Sequence, residues 1–546
     1  MDRQSLLAFL LIGIIIVFYP WYMNLVSPVE VGVSEEYVVE QNPEPLSLES
    51  PAPQISEKYK LEKSSSVEII DIKTNLYNLE ISNKNGGSLV SYSLYKYNDH
   101  LGKPVNLIDD INIDNLLLGF VSVDGDKISL NHNWSSSNKR GVLSVDRGQK
   151  TLMFTTVHQG QNIKKIFTFY SDSYNIDIDV VFENPSKFIS RDQYTFRWSG
   201  GLPPTEKNIT NDFQFFEGFA SLGGEHMGSK PKKGKVSEES QKGSTLWTAI
   251  KTKYFLSAIV PSEPGIAAKI ESQLVDKRPV YNTEITQRAS SENSFTVYLG
   301  PLDYSNLKDF GVGLESNVDL GWALFRPIGQ LISWLLSKMY AIIPNYGIVV
   351  ILFAFLIKLL LNPLTVKTFE STRKMQSLAP EINKIKEKYK NDPQKMSRAQ
   401  MELYKSSGAN PMGGCLPMLI QMPILVSVFS IFRSKIEFRG APFFSWINDL
   451  SGPDTLFEIG GFPINILPVL MGSTMFIQQQ MMAAPNADAN QKTMMYVMNV
   501  FFLFLFYSFP SGLNLYYFVF NLLSIIQQKY LIPKPAEVAM GVSIKK

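Results

Sequence analysis

Five apolar segments in the C-terminal half of this chain constrain its fold more than any other feature. They cover residues 345–365, 416–433, 463–481, 494–509 and 512–528. Each predicts a membrane helix, because a segment that crosses lipid must satisfy its own backbone hydrogen bonds. The last four are near or below the roughly 20 residues needed to cross a bilayer. Spans this short predict local thinning of the bilayer or oblique packing of the helices.

The start of the chain predicts a further membrane segment. Residues 6–19 are apolar and are followed by Pro20, Trp21 and Tyr22. No small-residue cleavage pattern follows, so we expect an uncleaved transmembrane anchor at residues 1–26, with aromatic residues at its outer end. The next stretch, residues 27–64, is rich in Pro, Glu and Ser, which predicts a disordered periplasmic linker.

Residues 65–319 carry a different pattern, typical of strands. Ile176 and Ile178 alternate with Asp177 and Asp179, as in a half-buried antiparallel strand. Similar runs occur at residues 76–81, 166–170, 195–198, 254–260 and 294–299. Many short strands separated by turn residues predict a large β-sandwich.

Two further segments in this region have their own patterns. Residues 223–244 are rich in Gly, Lys and Ser, which predicts a mobile surface loop. Residues 320–343 carry apolar side chains on one helical face, which predicts an amphipathic interfacial helix between the sandwich and the membrane helices.

The distribution of charge predicts the topology. Residues 366–414 hold ten Lys and Arg against five Asp and Glu, whereas residues 434–462 hold two basic and four acidic residues. The positive-inside rule places the first segment and the basic tail, 532–546, in the cytoplasm. We therefore expect a six-span α-helical membrane protein with both termini cytoplasmic and residues 27–343 on the outer side of the membrane, which is the periplasm in a cell that has an outer membrane.

The cytoplasmic segment predicts a helical hairpin within 366–414. Apolar residues step by three and four along both arms at Met375, Leu378, Ile382, Ile385, Tyr389, Met396, Ala399 and Leu403. The sequence Asn391-Asp-Pro393 is a turn, and Pro380 is expected to bend the first arm. Its basic surface fits either a solvated loop or a docking arm for an anionic partner, such as the ribosome or lipid headgroups.

Enzyme signatures are absent from the sequence. There is no phosphate-binding or dinucleotide-binding glycine motif and no H-E-x-x-H motif. The single cysteine, Cys415, permits no intrachain disulfide, and the four histidines all lie outside the apolar segments of the C-terminal half. We therefore expect no catalytic residue, no metal site, no cofactor and no specific DNA binding.

One basic residue interrupts the first C-terminal span. Lys358 is the only charged residue between Tyr346 and Pro363. A charge at the centre of a membrane helix costs roughly 2.5–3.5 kcal/mol on insertion scales, so such residues often mark function. The alternative is that the long side chain extends to the membrane interface, since polar sequence resumes one turn later at Asn362.

Other polar residues lie inside the apolar segments. They are Gln421, Thr474, Gln478, Asn514, Tyr517, Asn521 and Ser524. Each one alone could simply link two helices, but together with Lys358 and Asn362 they favour a shared hydrated groove. Fourteen of the nineteen methionines follow residue 370, which fits either core filling or a surface that accepts varied apolar partners.

Several long motifs in order resemble the YidC family of membrane protein insertases, in its Gram-negative form with a large periplasmic domain. The resemblance runs over nearly the whole chain and is densest at residues 362–365, 410–423, 441–450, 509–517 and 521–528. It implies a five-helix insertase core within 344–531, enclosing a polar groove open to the cytoplasm and to lipid. It also implies a periplasmic β-supersandwich domain at residues 65–319 and a location in the bacterial inner membrane. In the family a groove arginine attracts polar or acidic parts of the nascent chain, and Lys358 occupies that position here without the bidentate fork of arginine.

The resemblance implies a set of site residues and partners. The substrate groove would be lined by Lys358, Asn362, Gln421, Thr474, Gln478, Asn514, Tyr517 and Asn521. An apolar slide for the substrate would use Met418, Met422, Met498, Phe502 and Phe506. The expected function is a membrane protein insertase and chaperone, without nucleotide hydrolysis. The expected partners are nascent membrane proteins, the lipid bilayer, the Sec translocon, and ribosomes or targeting factors at the basic hairpin and tail.

Two other classes of function remain open from the residues alone. A small-solute secondary transporter can also carry an intramembrane charge, although such proteins often show internal repeats, which we do not find in this sequence. A periplasmic carbohydrate-active enzyme could use the sandwich, with the membrane helices as an anchor.

Overall fold

The computed structural model describes residues 66–531 apart from 113, 139–140, 322, 409–415 and 483–488. The predicted anchor at 1–26, the linker at 27–64 and the tail at 532–546 lie outside the described residues. The chain divides into two compact units, one ending at Asn317 and the other beginning at Val318.

The first unit consists mainly of β-strands. Their bounds are β1 (Ile69–Lys73), β2 (Tyr77–Ser82), β3 (Ser88–Asn98), β4 (Pro104–Asn106), β5 (Leu117–Ser122), β6 (Lys127–Ser129), β7 (Ser135–Ser136), β8 (Val142–Ser144), β9 (Gln149–His158), β10 (Gln161–Tyr170), β11 (Asn175–Phe182), β12 (Ile189–Trp198), β13 (Glu217–Leu222), β14 (Glu225–Ser229), β15 (Ser237–Lys251), β16 (Phe255–Pro261), β17 (Gly265–Val275), β18 (Arg278–Arg288) and β19 (Glu292–Pro301). Two short helices, α1 (Ile209–Asp212) and α2 (Tyr304–Lys308), complete it.

These strands form two sheets that share a core. One has the order β4-β3-β2-β1-β8, and the other has the order β6-β5-β12-β18-β17-β15-β16-β19-β11-β10-β9-β7, with β13 and β14 attached beside β15. The ring of Tyr97 on β3 meets that of Phe255 on β16 edge to face at 5.8 Å, so the two sheets are in contact. Trp134, Trp198 and Trp247 are fully buried in this unit. The predicted β-sandwich domain is therefore confirmed.

Strand β11 shows why alternation predicted these strands correctly. Ile176 and Ile178 are fully buried, while Asp177 and Asp179 lie on the other face. Asp177 accepts hydrogen bonds there from the hydroxyls of Tyr170, at 2.5 Å, and Thr296, at 2.7 Å. One face of the strand thus belongs to the core, and the other carries a polar ladder between neighbouring strands.

The prediction of a mobile loop at 223–244 is wrong. Strand β14 pairs with β13, and β15 begins at Ser237 and pairs with β17 from Ser272 to Ala267. Most side chains in this first part of β15 are exposed and polar. Its composition therefore resembles that of a loop, although its backbone is held by interstrand hydrogen bonds.

The second unit is helical. Its helices are α3 (Arg326–Ile342), α4 (Tyr346–Ser377), α5 (Ala379–Lys388), α6 (Pro393–Ser406), α7 (Leu416–Ser434), α8 (Leu467–Met482), α9 (Ala489–Phe506) and α10 (Ser511–Ile526). A two-stranded hairpin, β20 (Thr455–Ile459) and β21 (Phe462–Asn465), precedes α8. The predicted span at 463–481 therefore starts at Leu467, because the residues before it pair as strands.

Helix α4 is longer than the predicted span. It has 32 residues and passes through Pro363. It ends at Ser377, and after Leu378 the chain enters α5 with Pro380 in the first turn, a position that tolerates proline. The first arm is thus interrupted beside Pro380, as a break between two helices rather than a bend within one helix.

Only one helix among the described residues is long and apolar enough by itself to cross a bilayer. It is Tyr346–Val366, with a mean hydropathy of 2.4. Met422–Ser434 and Thr493–Phe506 are shorter apolar helices. A helical core is thus present, and the count of six spans stays a prediction.

Candidate functional site

Lys358 lies on the inner face of α4. Its side chain is 7% exposed, whereas Phe355, Leu359 and Leu360 of the same helix are exposed, and Leu360 lies on the opposite face. Its Nζ donates a hydrogen bond to the Oγ of Ser524 on α10, at 2.7 Å. The ammonium group therefore lies between helices and does not reach the exposed face of α4.

The surroundings of this ammonium are neutral. Its Nζ lies 5.0 Å from the ring centre of Phe520 and 5.8 Å from that of Phe369. Cation–π contacts of this kind contribute about 0.5–2 kcal/mol. No Asp or Glu occurs in the sequence of α4 as far as Val366, or in α7 to α10. The positive charge of Lys358 is thus solvated by a hydroxyl and two rings, and no salt bridge joins it to a carboxylate among the described residues.

A second polar contact joins α4 to the end of α10. The Nε2 of Gln527 donates hydrogen bonds to the Oδ1 of Asn362 and, at 3.3 Å, to the Oγ1 of Thr365. Gln527 begins a π-helical turn, Gln527–Leu531, that continues α10. Such turns are frequent at functional sites because they redirect side chains within a helix.

Helix α10 presents a buried polar face. Asn514, Tyr517, Asn521 and Ser524 are all buried. The Nδ2 of Asn514 donates to the carbonyl of Phe506 at 3.1 Å, which attaches α10 to the end of α9. The Oδ1 of Asn514 and the hydroxyl of Tyr517 have no hydrogen-bond partner among the described residues. Leaving a buried polar group unsatisfied costs about 1–3 kcal/mol, so this face has unused capacity to bind polar groups.

The two predicted groove residues on α8 differ from each other. The hydroxyl of Thr474 donates to the carbonyls of Leu470 and Met471 in its own helix, at 3.1 and 2.9 Å. Gln478 is half-buried. Thr474 is therefore satisfied locally, and Gln478 is the more accessible of the two.

The predicted apolar slide residues are spread over different environments. Met422 is exposed, and Met498 and Phe502 are half-buried. Phe506 is buried, with its ring 5.6 Å from that of Tyr517. The structure thus brings Phe506 to the polar face of α10. The side chains of Met418 and Gln421 lie outside the described part of the chain.

Four polar residues of this region were missed by the sequence analysis. They are Thr365, Gln479, Asn499 and Gln527. The Nδ2 of Asn499 donates to the Oε1 of Gln479 at 2.5 Å and so links α8 to α9. Gln527 could have been found, because it continues the three-residue spacing of Asn521 and Ser524 along α10. Within the described residues, no group of His, Cys, Asp and Glu side chains is arranged to hold a metal ion.

Comparison with known proteins covers both units. Residues 69–335 match the family model described as the YidC periplasmic domain, and residues 338–537 match that of the 60Kd inner membrane protein. The membrane protein insertase YidC of Pelodictyon phaeoclathratiforme is 32% identical over 97% of this chain and 94% of its own length. That of Chlorobium phaeovibrioides is 33% identical over 99% of this chain and 97% of its own length.

The chain belongs to the YidC family of membrane protein insertases. As a member, it is an inner-membrane protein that acts in membrane protein insertion, and it is not an enzyme. Among solved structures, it is similar to an active YidC insertase crystal structure with the first transmembrane domain resolved. That match has 20% identity over 86% of this chain and 94% of the other, with a TM-score of 0.36, which does not by itself establish a common fold.

Proposed function

We propose that this insertase receives the polar part of a substrate chain in a groove lined by α4, α8 and α10. The observation that carries the proposal is the buried ammonium of Lys358, which has only neutral partners on these helices. A carboxylate or carbonyl of a passing chain would form a charge-assisted hydrogen bond with it. That bond offsets part of the cost of taking both groups out of water, and it breaks again when the chain moves on.

The groove is assigned to Lys358, Asn362, Gln421, Thr474, Gln478, Asn514, Tyr517 and Asn521. The unsatisfied atoms of Asn514 and Tyr517 support this assignment, since a polar substrate segment would supply the partners they lack. The hydrogen bond from Gln527 to Asn362 joins α4 to α10 beside the groove.

The apolar part of the substrate would leave along α7 and α9. The slide residues are Met418, Met422, Met498, Phe502 and Phe506. Flexible methionines and large aromatic rings accept varied apolar sequences without a fixed shape. Transfer of the segment from water to lipid, at about 25 cal/mol per Å² of apolar surface, drives the step without nucleotide hydrolysis.

The topology that fits this mechanism has six spans, both termini in the cytoplasm and residues 27–343 in the periplasm. The excess of basic residues in 366–414 supports the orientation. Helices α8 and α10 have 16 residues each, which would thin the bilayer around the groove. A thinner bilayer shortens the distance over which a polar segment must be carried.

The helical hairpin of α5 and α6 is the proposed docking site for ribosomes or targeting factors. Its exposed basic side chains are those of Lys384, Lys388, Lys390, Lys395, Arg398 and Lys405. They give a positive surface that attracts nucleic-acid phosphates or acidic proteins. The Sec translocon is a further proposed partner.

Depletion of the protein and rescue with variants at position 358 tests the groove. Lys358→Arg keeps the charge and should restore membrane insertion, whereas Lys358→Ala should restore less. Lys358→Glu should impair substrates with acidic tails most, because it repels them. Equal rescue by all three variants, at equal protein levels, would leave no electrostatic role for this residue.

A further inference from the structure

The hairpin of β20 and β21 exposes an apolar surface that the groove mechanism does not use. Gly460 and Gly461 form its turn, both with positive φ, at 58° and 81°. The two strands pair with each other and with no other strand among the described residues. Leu456, Phe457, Ile459 and Phe462 are 45–62% exposed.

One face of this hairpin is apolar. Phe457 is paired with Ile464, and residues two apart along a regular strand share a face. Ile459 is paired with Phe462 beside the turn. Glu458 is the only charged residue between Thr455 and Asn465. Phe457, Ile459, Phe462 and Ile464 therefore share one apolar face, whereas Glu458 lies on the other face with Pro463.

The base of the hairpin is fixed to the helices. Tyr507, just after α9, donates from its hydroxyl to the carbonyl of Pro463 at 2.6 Å and stacks on Phe462 with ring centres 5.5 Å apart. The Nδ2 of Asn465 donates to the carbonyl of Tyr507 at 2.7 Å. Asp454 accepts from the backbone N–H of Leu467, at 2.7 Å, at the start of α8. The hairpin is therefore held at the point where α8 begins and α9 ends.

The position and chemistry together identify the occupant as lipid. The apolar surface continues directly into an apolar helix, so it lies at the level where that helix enters the bilayer. Each strand also has an unpaired edge, and its free backbone groups would cost several kcal/mol each in hydrocarbon. The hairpin is thus suited to the interfacial layer, where apolar side chains reach the acyl chains and backbone groups keep contact with water and headgroups.

We infer that the hairpin of β20 and β21 is a lipid-binding wedge, which inserts Leu456, Phe457, Ile459 and Phe462 into the interfacial layer of the leaflet in which α8 begins. It would anchor the adjoining ends of α8 and α9 in lipid. The wedge does not depend on Lys358 or on the proposed groove, so either proposal can fail without the other.

Spin labels on the full-length protein in phosphatidylcholine and phosphatidylglycerol nanodiscs test the wedge. In a Cys415→Ser background, single cysteines would be placed at Ile459 or Phe462. Leu360, on the exposed face of α4, is the lipid control, and Asp124, in a turn of the first unit, is the aqueous control. Collision rates with oxygen, which concentrates in lipid, and with a water-soluble nickel complex would be measured at each label.

The wedge predicts a higher ratio of oxygen to nickel collisions at Ile459 and Phe462 than at Asp124, and a lower ratio than at Leu360. A ratio equal to that at Asp124 would show that the hairpin is in water. Low collision rates with both reagents would show that protein covers it. Either of these two results would overturn the proposal.

Discussion

At the scale of single residues, two buried lysines illustrate two uses of one side chain. Lys165, on β10, is fully buried and donates to the backbone carbonyls of Asn85 and Leu116. Both acceptors have a positive φ, 58° and 54°, so this lysine fixes two strained turns. Lys358 instead donates to one side-chain hydroxyl among the described residues. An ammonium has three N–H donors, so Lys358 keeps donor capacity for a substrate.

The stability of the first unit should therefore depend on pH through Lys165. Burial lowers the pKa of this lysine from 10.5 to about 7, and no salt bridge joins it to an acid among the described residues. Between these two values the unfolded chain binds the proton and the folded chain does not. The free energy of unfolding should therefore increase as the pH is raised from about 7 towards 10.5, and decrease when the pH is lowered again towards 7.

Urea unfolding of the full-length protein, followed by hydrogen exchange of the β10 amides, would measure this dependence. The Lys165→Met variant should lose the part of the pH dependence that belongs to this group. Identical pH dependence in the variant and the parent protein would show that the buried lysine does not titrate in this window.

Sequence periodicity could not predict the direction of the Lys358 side chain. The pattern showed that an ammonium group lies in an apolar helix, but extension to the interface and burial between helices fit the same spacing. The choice depends on α10, which supplies Ser524 and Phe520 from more than 160 residues away. Long-range packing of this kind leaves no local signal.

At the scale of elements, the sequence correctly predicted the helices and strands whose residue pattern reflects burial of one face. The alternation in β11 and the apolar runs of α7 and α10 are of this type. The sequence-based prediction failed where a strand is paired without being buried, as in the exposed and polar first part of β15. It also placed the start of α8 too early, because the residues of the hairpin before it are apolar like those of the helix.

Close helix packing at Gly512 makes an element-scale prediction. A Cβ at this position, in the first turn of α10, would lie 2.6 Å from the ring of Phe432 on α7 and 3.1 Å from the carbonyl oxygen of Leu450. The Gly512→Ala variant should lose roughly 1–3 kcal/mol of stability through this overpacking. Thermal unfolding of the purified protein in detergent would report it as a lower midpoint.

Gly452→Ala is the matched control, because a Cβ there has its nearest contact at 3.4 Å, an ordinary distance. The control should unfold close to the parent temperature. A loss of stability as large in Gly452→Ala as in Gly512→Ala would mean that packing against Phe432 is not the cause.

At the scale of the whole molecule, the residues exposed by the first unit suit water and those exposed by the second suit lipid. The first buries its aromatic residues between sheets and carries polar ladders on its outer faces. The second exposes apolar side chains, such as Phe355 and Leu360 on α4, and buries polar ones, such as Asn514 and Ser524 on α10. This inversion suits a protein in lipid whose interior handles polar groups.

Site-specific photocrosslinking tests most directly whether that interior receives substrate. A photoreactive amino acid would replace Gln478 or Asn521 in the groove, and Leu360 on the exposed face of α4 as the control. With a radiolabelled nascent membrane protein, the groove positions should give strong crosslinks and Leu360 weak ones. If the groove positions give none, or no more than Leu360, while each variant still supports insertion, substrates do not pass through this groove.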